Sequence, residues 1–283
     1  MKQMPKPDDR YLQRGRFRLH YRVCSSNPKA PAILLLHGWS GNYTVFEPLV
    51  ALLTKRGYTT IVPDLRGHGL SDKHRTLKDY EIKEFVEDVH QLLNALTISP
   101  KKPVSVLGYS AGGTIALMHE LKYPGYFDRF ILVGANHTNP TRYWGLGWLA
   151  RLLTPPVRAT AHLLKFDRRK RYKHIDLVAI KSYWGSVFEG LRSMPVDVNL
   201  WLLTTYVHLH LGQELKRIKA PAIVLRGKSD PLFTAREARD LGNKLGNARV
   251  VTLQEAGHYL VSHHGDLLVD VLERQGALPP IPR

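Results

Sequence analysis

The stretch that most constrains this chain is the apolar run Val104-Ser-Val-Leu, which passes through Gly108-Tyr109-Ser110-Ala111-Gly112 into the helix-forming residues 114–122. It reads as a strand, a turn with too little room for side chains, and a helix. A serine on such a turn holds its hydroxyl clear of the sheet. Glycine is needed on either side because a Cβ there would strike the neighbouring strand or helix. The helix that follows aims its first amides at any negative charge developing beside Ser110. A chain built around this stretch needs a sheet whose strands end against helix N-termini.

The rest of the sequence supplies that sheet. Residues 16–23 alternate, with Phe17, Leu19, Tyr21 and Val23 on one face and Arg16, Arg18, His20 and Arg22 on the other. This predicts a half-buried strand near a sheet edge. Continuous aliphatic or apolar runs at 32–36, 58–63, 129–134, 221–226 and 248–253 predict further strands. Residues 79–96 predict an amphipathic helix, with Ile82, Phe85, Val86, Val89, Leu92, Leu93 and Leu96 on the buried side and Glu81, Glu84, Glu87 and Asp88 outside it. Thr234-Ala-Arg-Glu237 is a capping box opening a helix, and Asp266 is expected to cap the last one.

The alternation lapses over residues 136–216, which carry Trp144, Trp148, Trp184 and Trp201 and the basic cluster Lys165 and Arg168–Arg171. The expected organisation is an α/β, doubly wound, mostly parallel core (residues 14–135 and 217–277) with an inserted, mainly helical cap (136–216). Residues 1–13 and 278–283 are expected to be flexible ends.

In an open sheet of this kind, functional side chains gather beyond the carboxyl ends of the strands. Ser110, Asp230 and His258 each directly follow a predicted strand. Serine needs a base to take its proton as it attacks, which His258 can do. Asp230 would hold the imidazole tautomer and stabilise its charged form. The strand before the insertion is followed by Gly134-Ala135-Asn136 and offers no rival carboxylate. The loop at His37-Gly38-Trp39 can present the Trp39 amide, with that of Ala111, to a reacting carbonyl oxygen. His37 reads as a loop-holding residue. Asp64 and His68, in the Gly-rich stretch 64–72, read as turn residues.

These pieces together, His37-Gly38-Trp39, Asp64 through Asp72, Gly108 through Gly112, Gly227-Lys-Ser-Asp230 and Gly257-His258, resemble the α/β-hydrolase fold family along the whole chain outside the insertion. The resemblance implies the same fold and triad, an acyl-enzyme route and no cofactor or metal. Ser110 argues against the family's aspartate-nucleophile epoxide hydrolases and haloalkane dehalogenases. Tyr109 and Tyr259 argue against its ring-cleavage carbon–carbon hydrolases. The expectation is a carboxylesterase acting on a small-molecule ester with an apolar acyl part. Thioesterase, lactonase, lipase, carbon–carbon hydrolase and slow-turnover ligand receptor are the alternatives.

Composition sets outer limits. A single cysteine, Cys24, excludes an internal disulfide framework and fits a reducing, cytoplasmic setting. The N-terminus lacks the apolar core of a signal peptide, and no apolar run approaches membrane-spanning length. The formal charge of +17 attracts anionic surfaces or substrates without bearing on fold. His208-x-His210 and His263-His264 lack the company of a metal site. The run at 168–171 is expected to be a solvated surface, not a nucleic-acid site. Tyr143, Trp144, Leu146, Trp148, Leu149, Leu152 and Leu153, with Arg142, Arg151 and Arg158, are expected to wall an acyl pocket. Contact of that segment with an anionic membrane is the secondary reading.

Overall fold

The computed structural model describes residues 8–281 except 26, 28, 75, 144, 165–175, 177–179, 181 and 182, and describes the backbone alone at 140, 183, 184, 186 and 187. Trp144 and the basic cluster at 165 and 168–171 therefore lie outside the described residues, as does the side chain of Trp184.

Eight strands form one sheet in the order β1-β2-β4-β3-β5-β6-β7-β8. They are β1 (Asp8–Arg14), β2 (Phe17–Cys24), β3 (Ala32–Leu36), β4 (Thr59–Pro63), β5 (Val104–Tyr109), β6 (Phe127–Val133), β7 (Ala222–Gly227) and β8 (Ala248–Leu253). All pairings are parallel except those of β2 with β1 and β4.

Alternate residues of each central strand enter two separate cores, which is what burial on both faces demands. Leu34 and Leu36 of β3, Val106 of β5, Phe130 and Leu132 of β6 and Val224 of β7 face one. Their neighbours Ile33, Leu35, Leu107, Ile131, Val133 and Ile223 face the other. The first face is covered by α2 (Ile82–Ala95), α3 (Ala111–Lys122) and α7 (Ala235–Leu245), and the second by α1 (Glu47–Lys55), α8 (Leu260–His263) and α9 (Gly265–Arg274). Between β6 and β7 the described residues include the α-helices α4 (Gly147–Leu163), α5 (Tyr183–Arg192) and α6 (Val196–Val207). Val198, Trp201 and Leu202 of α6 join the first core.

Several expectations are corrected. Residues 8–13, expected to be a flexible arm, lie in β1 and pair along its whole length with β2. β1 is therefore the sheet edge, and His20 on β2 is fully buried rather than solvated. Its Nδ1 lies 2.8 Å from Asp64 Oδ2 and its Nε2 2.8 Å from Asp9 Oδ1, so β1 supplies the charge that makes burial of an imidazole tolerable. The C-terminal end is also packed: Leu278 is buried and the Tyr58 hydroxyl donates to the Pro279 carbonyl at 3.0 Å.

On α2, Asp88 faces inward. Arg66 donates to it through Nε and Nη2, both at 2.6 Å, and Arg14 through Nη1 at 2.6 Å. A carboxylate with three charged donors can be buried where an unpaired one cannot. Asp266 stands in the first turn of α9, not at its cap. The Thr234 cap forms as expected, its side chain accepting from the Glu237 amide at 3.2 Å.

Candidate active site

The parallel strands β3, β5, β6, β7 and β8 end side by side, and every residue singled out as catalytic follows one of them. Leu36 pairs with Gly108, Tyr109 with Val133 and Gly227 with Leu253. Segments far apart in sequence thus emerge at one edge.

Ser110 occupies the turn between β5 and α3 at φ 50° and ψ −120°. A residue with a side chain pays of order 1 kcal/mol or more to sit there, so its surroundings must impose it. They do. A Cβ on Gly112 would stand 2.1 Å from the Leu36 carbonyl oxygen, and one on Gly108 2.3 Å from the Gly113 Cα. The turn therefore closes only with glycine at both positions. The Ser110 amide donates to the Val133 carbonyl at 2.8 Å, locking the turn to β6.

The loop after β3 passes over this serine: a Cβ on Gly38 would lie 3.0 Å from the Ser110 Cβ. Among the described residues, the amides of Trp39 and Ala111 donate to no protein acceptor, which leaves both available. The loop is held by histidines on both sides. His37 donates from Nδ1 to the Gly38 carbonyl at 2.8 Å and accepts at Nε2 from the Leu65 amide at 2.9 Å. His68 donates from Nδ1 to the Arg66 carbonyl at 2.9 Å and accepts from the Ser40 amide at 3.2 Å.

With both nitrogens occupied, neither ring is free to take a proton. Burial lowers the pKa of each, and that of His68, with the nearby His37 adding to the effect, is pushed down to about 3. Asp64 is equally committed, accepting from the amides of Tyr43 at 2.7 Å and Leu70 at 2.8 Å as well as from His20.

Asp230 and His258 come together. His258 Nδ1 lies 2.8 Å from Asp230 Oδ2, while Asp230 Oδ1 accepts from the amides of Leu232 at 2.8 Å and Phe233 at 3.0 Å. Both residues are buried. The His258 ring lies 5.3 Å, centroid to centroid, from that of Tyr109, the residue before Ser110. Among the described residues Ser110 makes no hydrogen bond to His258, so of the three the structure joins Asp230 to His258 directly, with Tyr109 between that pair and the Ser110 turn.

Two supporting residues escaped the sequence reading. Asn136, noted only for not being a carboxylate, donates through Nδ2 to Glu237 Oε1 at 2.8 Å and to the Leu232 carbonyl at 3.3 Å, bracing the loop that carries Asp230. Glu237 is buried, and that burial, with the charges of Asp230 and Asp240, pushes its carboxyl up to about 8. The capping-box pattern located Glu237 on its helix but carried no sign of its depth.

The inserted helices touch the same edge. Trp39 Nε1 donates to Asn199 Oδ1 on α6 at 3.1 Å, and a Cβ on Gly190 of α5 would stand 2.8 Å from the Ser40 carbonyl oxygen. The expected apolar pocket wall is not what α4 forms. Trp148, Leu152 and Leu153 are 68%, 65% and 50% exposed. Trp148 borders a cavity of about 460 Å³, but with Thr138, Asn139, Arg142, Arg151 and His210 among its lining. Tyr143 is turned aside, donating to Asp240 Oδ2 at 2.7 Å. Among the described residues no group of three or more His, Cys, Asp or Glu is placed to hold a metal ion.

The sequence matches the family model for the alpha/beta hydrolase fold over residues 31–264. The chain belongs to the alpha/beta hydrolase family. Among relatives of this alpha/beta hydrolase, an uncharacterized protein of Mycobacterium tuberculosis, Rv2715, is 39% identical over 119 residues, which are 42% of this chain and 32% of that protein. The chain thus spans about a third of that relative's length. A 2-(acetamidomethylene)succinate hydrolase of Mesorhizobium japonicum is 27% identical over 87% of each chain. A hydrolase from Pseudomonas aeruginosa superposes with a TM-score of 0.71 at 20% identity, covering 95% of this chain and 99% of that one. At that identity the likeness concerns the fold.

Proposed function

We propose that this alpha/beta hydrolase cleaves carboxylic esters through an acyl-enzyme formed on Ser110. In this reading the Ser110 hydroxyl attacks the ester carbonyl while His258 takes its proton at Nε2. The nitrogen is free to do so because Nδ1 is engaged by Asp230. The developing oxyanion is met by the amides of Trp39 and Ala111, the latter at the N-terminus of α3. His258 then returns the proton to the departing alcohol, and water releases the acid by the same steps reversed. No cofactor enters the reaction.

The observation that carries the reading is the strained turn at Ser110 and the buried Asp230–His258 pair, all beyond the carboxyl ends of the parallel strands β5, β7 and β8. The Ser110–His258 hydrogen bond would form on substrate binding, since such bonds are often long in free enzymes and tighten only in the complex. Residues 136–216 would serve as the cap over this edge, a role supported by the contacts of α5 and α6 with the Gly38–Ser40 loop.

The test pairs covalent labelling with turnover. A fluorophosphonate should add one group at Ser110, read by peptide mass spectrometry. A panel of esters of increasing acyl length should be hydrolysed by the wild type and not by Ser110→Ala. Folded protein unlabelled at Ser110 would overturn the proposal. A burst of one product per enzyme followed by negligible turnover would point instead to a ligand receptor.

A further inference from the structure

Helix α4 is amphipathic in the wrong direction for a helix covered only by water. Trp148, Leu152 and Leu163 are 68%, 65% and 79% exposed. Pro155 and Ala159, between them at helical spacing, are exposed as well. The side turned to the protein buries Thr154 and Ala161, and the half-buried Arg158 there donates to the Thr204 hydroxyl at 3.0 Å. Ordinary amphipathicity is thereby reversed: the larger apolar side chains point out and smaller or polar groups point in. Single exposed leucines are unremarkable, but an apolar stripe along a whole helix is a surface that expects a partner.

Charge identifies the partner. Between Asp128 and Asp167 the sequence has no Asp or Glu, while Arg142 and Arg151, both exposed, flank the stripe. The protein as a whole carries +17. A bare apolar face with arginines beside it and no acid in its own stretch of chain suits the headgroup and acyl boundary of an anionic bilayer. Arg151 and Arg158 interrupt the 17 residues of α4, and among the described residues no helix is long and apolar enough to cross a membrane.

We infer that α4 docks in the plane of an anionic lipid surface through Trp148, Leu152 and Leu163, with Arg142 and Arg151 on its headgroups. Because α4 leads into the segment that carries α5 and α6, such docking would set the catalytic edge beside the bilayer. The inference does not use Ser110, so it can fail while the ester reading stands.

The experiment is co-sedimentation of the full chain with vesicles of phosphatidylcholine, with and without phosphatidylglycerol, alongside sedimentation velocity without lipid. The wild type should bind the phosphatidylglycerol vesicles and not the neutral ones, and raised salt should weaken that binding because the charge attraction is screened. Trp148→Ala and Leu152→Ala should each lower partitioning about tenfold, since each withdraws one large side chain from the lipid. Arg151→Glu should lower it further at low salt than at high salt. All three sites are exposed, so unchanged circular dichroism melting is expected and would confirm that the variants fold. Absence of vesicle binding by the wild type, equal binding to neutral vesicles, or binding untouched by Trp148→Ala and Leu152→Ala would each overturn the inference. So would a lipid-free dimer that these variants convert to monomer, which would make the face an interface between copies.

Discussion

His258 Nδ1 lies 2.8 Å from Asp230 Oδ2, and their side chains are 6% and 1% exposed. The contact fixes which imidazole nitrogen carries the proton and which is free to accept one. His37 and His68 have both nitrogens engaged and no such freedom. His258→Ala and Asp230→Asn should each reduce kcat by about 10⁴-fold with folding intact, because members of a triad act as a unit. His37→Ala and His68→Ala should show their main effect in melting temperature. If either of these abolishes turnover in folded protein while His258→Ala does not, the assignment of the base is wrong.

Gly134 packs against that pair. Its φ is +57°, and a Cβ there would stand 3.2 Å from both Cε1 and Nδ1 of His258 and 3.4 Å from Asp230 Oδ2. Gly134→Ala should displace the imidazole and lower kcat roughly 10–100-fold with little change in KM, since small misplacements of a catalytic group are costly. The left-handed backbone adds about 1–2 kcal/mol of destabilisation. Full kcat in this variant would show that the ring accommodates the added methyl.

Glu237 makes the pH dependence of folding asymmetric. Its pKa rises from 4.5 to about 8, first through burial and then through Asp230 and Asp240, so the folded protein holds a proton that the unfolded chain releases. Its contribution is complete below the unfolded value and is lost as pH rises toward the folded one. Glu237→Gln keeps an oxygen that can accept from Asn136 and removes the titration. Chemical denaturation should find the variant more stable than wild type by up to about 3 kcal/mol at pH 7, at roughly 1.36 kcal/mol per pKa unit, and little different at pH 4.5. A gap that stays constant across that range would mean Glu237 does not titrate there.

Asp88 ties β1, the Gly-rich loop and α2 together through Arg14 and Arg66. Asp88→Ala leaves Arg66, 5% exposed, without its main partner and should cost about 3–5 kcal/mol in urea unfolding. A loss under about 1 kcal/mol would place the pair among solvent-screened bridges.

The strands, the Ser110 turn and the three candidate triad residues could be read from the sequence because each depends on local pattern. Apolar runs mark β3 and β5, small residues crowd one turn, and a polar residue follows each strand end. Asp88 was misread for the opposite reason. On a helical wheel it sits between Glu84 and Leu92, at the border of the apolar face, and only the arrival of Arg14 from β1 and Arg66 from the Gly-rich loop makes its burial possible. β1 itself carries no apolar alternation, because it is an edge strand held by main-chain pairing and by Asp9 against Arg22 and His20.

Sequence alone determined that a parallel sheet would bring Ser110, Asp230 and His258 to one edge, because the side of a sheet on which a residue emerges follows from strand direction and chain order. Tertiary structure decided which of the candidate polar groups have both ends tied into the scaffold. His37, His68 and Asp64 are chemically as capable as His258 and Asp230, and only the amides and carbonyls packed around them show that they are occupied. It also decided the direction of α4. Helical periodicity defines an apolar stripe equally well whether it faces a core or the solvent, and the choice rests on what the rest of the chain brings to meet it.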